Sequence, residues 1–179
     1  MKTNLEKYHR RSIRIPGYDY SQTGWYYITI CVNNRIPLFG KVVNGQIILN
    51  KFGTIAEKEW KKTETLRSKI RLDQYVIMPN HIHGIIQIMG NQDHGRGTMR
   101  RTPTAEQYGK PVSNSIPTIV RSFKAVVTKQ INEIRQSPGD RIWQKNYWEH
   151  VIRNEQDLHR IRNYIINNPL KWPSDKYFI

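Results

Sequence analysis

Hydrophobic and polar positions change their period several times along the 179 residues. Trp25 to Val32 (WYYITICV) is a run of aromatic and β-branched residues, which predicts a core strand. Leu38 to Val43 and Gln46 to Leu49 flank Asn44-Gly45, a dipeptide that accepts the positive φ angles of a two-residue hairpin. From Phe52 to Leu66 the apolar residues Phe52, Ile55, Ala56 and Trp60 recur near helical spacing. Leu72 to Met78 and Ile82 to Met89 read as two strands separated by Pro79-Asn80. Thr118 to Ile134 is the pattern of an amphipathic helix. Ile119, Val120, Phe123, Val126, Val127, Ile131 and Ile134 share one broad face, and Arg121, Lys124 and Lys129 lie elsewhere. Trp143 to Ile152 is aromatic and strand-like. A last helix opens at Asn154, a good N-cap, with Asp157 three residues on; Leu158, Ile161 and Ile165 form its apolar stripe, and Pro169 ends it.

Two segments fall outside this periodicity. Residues 1–24 form a basic arm carrying Lys7, Arg10, Arg11 and Arg14 before the Pro16-Gly17 turn signal; it reads equally as a solvated terminus or a nucleic-acid contact. Residues 90–116 hold four Gly, two Pro and several basic residues without hydrophobic period, which predicts a long loop, mobile or functional. No internal repeat is present. The order strand, hairpin, helix, strand, strand, helix, strand, helix predicts one α+β domain, with helices packed on one face of an antiparallel sheet.

Charge narrows the partner. There are 29 Lys and Arg against 14 Asp and Glu, a formal charge of +15 spread over the whole chain. A folded body with that excess attracts polyanions, so nucleic acid leads and an anionic membrane surface trails. With 37% hydrophobic and 11% aromatic residues the chain can build a core and does not read as disordered. The single cysteine, Cys31, removes a disulfide framework and any Cys-based zinc site. Met1 to Arg14 lacks the apolar run of a secretory signal. The longest apolar region, Tyr75 to Met89, is interrupted by Pro79, Asn80, His81 and His83 and is too short to span a bilayer. The expectation is a cytoplasmic protein in a reducing compartment, with no membrane association.

Two local features carry chemistry. In His81-Ile82-His83, residues two apart on a strand point to the same face, so both imidazoles can meet one ion. The pair suggests a metal site, but by itself it more readily fits two ordinary strand histidines. On the last helix Tyr164 and Asn168 are four residues apart and share a face. Tyr164 lies at the edge of the buried stripe, where it either projects into a groove or packs as an ordinary aromatic.

Taken together, these residues resemble the REP-associated tyrosine transposases, within the single-tyrosine HUH (His-hydrophobic-His) transposases and nucleases. Met78-Pro79-Asn80-His81-Ile82-His83 is similar to the HUH motif with its upstream strand. Trp143-Gln144 and Trp148-Glu149-His150-Val151-Ile152-Arg153-Asn154 are similar to the family's Trp-Gln and Trp-Glu-His-x-Ile-Arg-Asn block. Asp157 and Tyr164-Ile165-Ile166-Asn167-Asn168-Pro169 match its Asp and Tyr-Ile-x-x-Asn-Pro signature. The resemblance runs from about Trp25 to Pro169.

It implies a ferredoxin-like fold, with Tyr164 as nucleophile and His81, His83 and Asn168 as ligands of a divalent metal, Mg²⁺ or Mn²⁺. The implied reaction is cleavage and rejoining of single-stranded or hairpin DNA through a 5′-phosphotyrosine link, without a small-molecule cofactor. Nitrogen ligands by preference suit Mn²⁺ or Zn²⁺ better than Mg²⁺. Arg10, Arg11, Arg14, Arg121, Lys124, His150 and Arg153 are the candidate DNA contacts. Glu149 and His150 could stand near the site or close a strand end as paired polar residues. Trp25, Tyr147 and Trp148 could stack on bases, though most aromatics of such a domain belong to its core. A monomer is expected over a homodimer. The segment Gly17 to Gly24 departs from the Gly-Gly-Thr-like sequence many members carry there, so the DNA target is not transferred. The alternative function is a non-catalytic DNA- or RNA-binding module of the same fold.

Overall fold

β1 (Gly24–Cys31) occupies an inner position of a four-stranded antiparallel sheet, and its alternating side chains supply both faces. The computed structural model describes residues 15, 17–90 and 112–178. Arg10, Arg11, Arg14 and residues 91–111 of the expected loop lie outside the described residues. β1 is followed by the hairpin β2 (Gly40–Val43) and β3 (Gln46–Leu49), whose turn residues Asn44 and Gly45 take φ angles of 51° and 72°, as the Asn-Gly signal predicts. Then come α1 (Lys51–Thr65), β4 (Ile70–Ile77), β5 (His81–Ile88), α2 (Ile116–Arg135), β6 (Trp148–Ile152) and α3 (Glu155–Asn167). The sheet order is β4-β5-β1-β6, with every neighbour antiparallel, so β1 and β5 are central and β6 is an edge. This is the ferredoxin-like arrangement.

Local chemistry fixes the helix starts. The Asn50 side chain accepts from the backbone N–H of Phe52 and Gly53, Ser115 from Thr118, and Asn154 from Asp157. On one face of the sheet Tyr26, Ile28, Ile30, Ile82 and Ile86 meet Ala56 and Trp60 of α1 and Ile119, Val120, Phe123, Val127 and Ile131 of α2. The Trp60 and Phe123 rings pack edge to face at 5.3 Å. Gly84 makes this possible, because a Cβ there would lie 2.3 Å from Trp60 Cζ2.

Packing of the helices on one face holds for α1 and α2 and is corrected for α3. Leu158, Ile161 and Ile165 of α3 cover Tyr27, Ile85 and Ile152 on the opposite face. The reason lies in the alternation of β1: Tyr26 and Ile28 satisfy α1 and α2, and Tyr27, one residue out of phase, leaves a second apolar patch needing its own cover. Arg162 fastens α3 to β4 through Asp73, with nitrogen–oxygen distances of 2.8 and 2.6 Å.

Three other boundaries differ from expectation. The strand expected over Trp143 to Ile152 begins only at Trp148. Trp143 makes an isolated bridge to Val32 and buries its indole between Phe39 and Phe123, with its N–H donated to the Lys124 carbonyl at 3.1 Å. On α2, Val126 and Ile134 are exposed, so the buried stripe is narrower than the apolar pattern. β4 begins two residues early, at Ile70, and carries a bulge between Leu72 and Tyr75. Among the described residues no helix is long and apolar enough to cross a membrane.

Candidate active site

His81 and His83 stand on β5, opposite Cys31 and Thr29 of β1, and face the α3 side of the sheet. Both are fully buried, with ring centroids 4.5 Å apart. Burial disfavours the charged imidazolium, pushing His81 down to about 4 and His83 well below its ordinary value, so both rings are neutral at pH 7. A neutral ring carries one N–H, and its neighbours decide which nitrogen holds it.

For His81 the decision is clear. The Asn80 amide nitrogen donates to the carbonyls of Arg35 (2.8 Å) and Tyr177 (2.7 Å), so its oxygen faces His81 Nδ1 at 2.8 Å. An acceptor there requires the proton on Nδ1. His81 Nε2 is left with a bare lone pair, buried and without a hydrogen-bond partner. His83 Nδ1 lies 2.8 Å from the Tyr27 hydroxyl and 2.9 Å from Thr29 Oγ1, and its Nε2 lies 3.4 Å from the Tyr164 hydroxyl.

Asn168 follows α3 directly with helical backbone angles, so it shares a face with Tyr164. Its amide nitrogen donates to Asp175 Oδ2 at 2.8 Å. A carboxylate only accepts, so it selects the NH₂ end and leaves Asn168 Oδ1 buried and without a partner. An orphaned buried acceptor costs roughly 1–3 kcal/mol. Two of them, His81 Nε2 and Asn168 Oδ1, stand around the His83–Tyr164 pair, which is what a cation needs and what a hydrogen-bonded core avoids. The donor set therefore fits a divalent metal. It is two imidazoles and a neutral amide; among the described residues no group of three His, Cys, Asp or Glu could hold one.

Tyr164 projects from α3 into a cleft of about 530 Å³ between β1, β6, α3 and the segment after it. It is 37% exposed. Burial and then the Asp175 carboxylate push its phenol up to about 12, so it is protonated at neutral pH. Two other tyrosines approach the histidines. Tyr27 is buried and its hydroxyl is committed to His83 Nδ1; Tyr177 packs its ring 4.5 Å from that of His81 and is pushed up to about 12, chiefly by burial.

No protein-family model matches the chain. An uncharacterized protein of Haemophilus influenzae is 40% identical over 179 residues, covering 99% of this chain and 98% of that one. The chain belongs to one family with it. A second Haemophilus influenzae protein, named "Putative REP-associated tyrosine transposase", is 33% identical over 95 residues, 53% of this chain and 47% of its own. A solved REP-associated tyrosine transposase bound to a REP hairpin has the same fold, with a TM-score of 0.58 at 21% identity over 88% of this chain and 73% of that chain. The chain is thus similar in part of its sequence to one protein of that name and in fold to another.

The structure sets His83 against Tyr164 and His81 against His83, both buried behind the cleft that Tyr164 and Asn168 line. His150 lines the same cleft, with Nε2 donating to Asp157 Oδ2 at 2.6 Å. Glu149 is buried on the opposite face, pairing in register with Ile28, so it does not stand near the site. Lys124 donates to the Gln144 carbonyl at 2.6 Å and is half-buried, which pushes it down to about 8; its ammonium is engaged within the fold. Arg121 and Arg153 are exposed and do not line the cleft.

Sequence reasoning missed Tyr27, Thr29, Asn80, Asp175 and Tyr177. The first three had a signal. Tyr27 and Thr29 carry hydroxyls on one face of an otherwise apolar strand, and Asn80 adjoins the histidines. Asp175 and Tyr177 had none, because the chain after Pro169 has no period to place them.

Proposed function

We propose that this protein cleaves and rejoins single-stranded DNA with Tyr164 as the nucleophile. The observation that carries the reading is the Tyr164 hydroxyl, 3.4 Å from His83 Nε2 in an open cleft, beside two further buried acceptors that lack partners. The Tyr164 oxygen attacks a strand phosphorus and the bond to the 3′ oxygen breaks. The products are a 5′-phosphotyrosine and a free 3′-hydroxyl, which in net terms receives the phenol proton. Attack by a 3′-hydroxyl reverses the step and reseals the strand.

A phenol held near 12 is a weak nucleophile on its own. His81, His83 and Asn168 would hold Mg²⁺ or Mn²⁺. The bound cation would supply positive charge for the phosphate oxygens of the displacement. All three donors are neutral, so they do not diminish that charge. Asn80 keeps His81 Nε2 free of a proton, and Asp175 keeps the Asn168 oxygen turned away from its own carboxylate. Thr29 and Tyr27 hold the His83 ring so that its second nitrogen faces Tyr164. Arg160, Lys171 and Lys176 line the cleft and suit a phosphate backbone. The hairpin bound to the solved structural neighbour supports hairpin DNA as the substrate.

A labelled hairpin oligonucleotide mixed with protein and Mn²⁺ should yield a covalent adduct that survives denaturing electrophoresis. Tyr164→Phe should yield none. His81→Ala should lose the adduct while keeping most DNA binding, because the basic surface does not depend on the metal. The same absence of adduct from wild type and Tyr164→Phe over varied hairpins would leave the non-catalytic binding module as the better reading.

A further inference from the structure

Trp148 is 46% exposed on the edge strand β6, an unusual place for the largest apolar side chain, and it lines the cleft that contains Tyr164. Two residues on, the His150 ring is parallel to it within 5°, with centroids 6.0 Å apart. The two rings stand parallel to each other on the α3 side of the sheet. Neighbouring side chains hold both. Trp148 abuts the Tyr27 ring edge-on at 5.3 Å, and His150 is held by Asp157, which also bonds Arg160. Arg160, Lys171 and Lys176 line the same cleft, against one carboxylate, Asp175, already engaged with Asn168 and the Tyr177 N–H.

We propose that Trp148, backed by His150, is a stacking platform for an unpaired nucleobase next to the cleaved phosphate. The inference rests on the single-stranded DNA reading above and adds a base-binding subsite to it. A half-exposed indole beside cationic side chains suits a base stacked on the ring with its phosphates on the lysines and arginine. The partner must be unpaired, because a base within a duplex offers only its edges. An indole already held by its neighbours gives up little conformational freedom on binding. Stacking of this kind tolerates any base, so the platform would grip the strand without selecting its sequence.

The test compares binding of oligothymidylate and of an abasic oligonucleotide of equal length and charge, with chelator present so that no cleavage occurs. Wild type should bind oligothymidylate at least about tenfold more tightly, the scale of one base–aromatic stack. Trp148→Ala should narrow that gap by about tenfold and leave abasic binding unchanged. Trp148→Phe should restore most of the difference. Trp148→Ala weakening both ligands equally, or weakening neither, would overturn the platform. Wild type binding both equally would do the same and leave the Tyr164 chemistry standing. No binding of either ligand would remove the DNA reading along with the platform. A partly exposed side chain is dispensable to the fold, so melting temperatures within a few degrees of wild type are expected for both variants.

Discussion

On the face of the sheet toward α1 and α2, Ile28, Ile30, Ile82 and Ile86 meet Trp60, Phe123 and Val127 in an apolar layer. One residue along the same strands, Tyr27, Thr29, His81 and His83 face the other way, into a smaller apolar cluster that ends in a polar cleft. The two faces share one backbone and one set of ladder hydrogen bonds. They differ in the side chains that line them. The first face buries apolar area, at about 1.5–3 kcal/mol per fully buried large side chain. The second keeps two buried acceptors without partners and two imidazoles that burial holds neutral. Alternation along a strand thus separates the residues of the apolar layer from those of the candidate site, with no separate domain for either.

The largest effect expected from breaking this division is Trp60→Ala, which should cost about 3–5 kcal/mol in urea unfolding, since it empties the centre of the apolar layer. A loss under about 1 kcal/mol would mean that α1 is not held as described. Acid should strike the other face. His81 is held near 4 when folded against an ordinary value of 6.5, so between those pH values the unfolded chain binds a proton that the folded ring refuses. Stability is then full above about 6.5 and falls toward pH 4, by about 3 kcal/mol from this ring. His81→Gln should flatten that slope; an unchanged slope would assign the acid loss to other groups. Smallest is the response to metal. Mn²⁺ at about ten times its dissociation constant should stabilise the protein by about 1.4 kcal/mol, read as a rise in melting temperature. Trp60→Phe should keep that rise and His81→Ala should lose it.

The apolar face was almost fully legible in the sequence. Strands, hairpin and helices follow from period, caps and the Asn44-Gly45 turn, because these are local properties of neighbouring residues. Legibility failed where distant contacts override the local pattern. Trp143 has strand-forming neighbours, yet its indole is claimed by Phe39 and Phe123, and the strand starts five residues later. The side chosen by α3 depends on which face α1 and α2 leave uncovered, which no periodicity in α3 states. At the candidate site, His81, His83, Tyr164 and Asn168 were singled out through the family resemblance and its spacing. Asn80 and Asp175, which set the polarity of that group, act by hydrogen bonds across the fold and were not.

Three tyrosines lie around the two histidines, and the proposed nucleophile is one of them. Tyr27 is buried with its hydroxyl on His83, Tyr177 packs on His81, and Tyr164 alone of the three is open to solvent by more than a third. The most direct test is peptide mass spectrometry of the covalent product formed with a hairpin oligonucleotide and Mn²⁺. The nucleotide is predicted on the peptide containing Tyr164, joined through a 5′-phosphate to the phenol oxygen. Attachment at Tyr27, Tyr177 or any serine, or an undiminished adduct from Tyr164→Phe, would contradict the assignment.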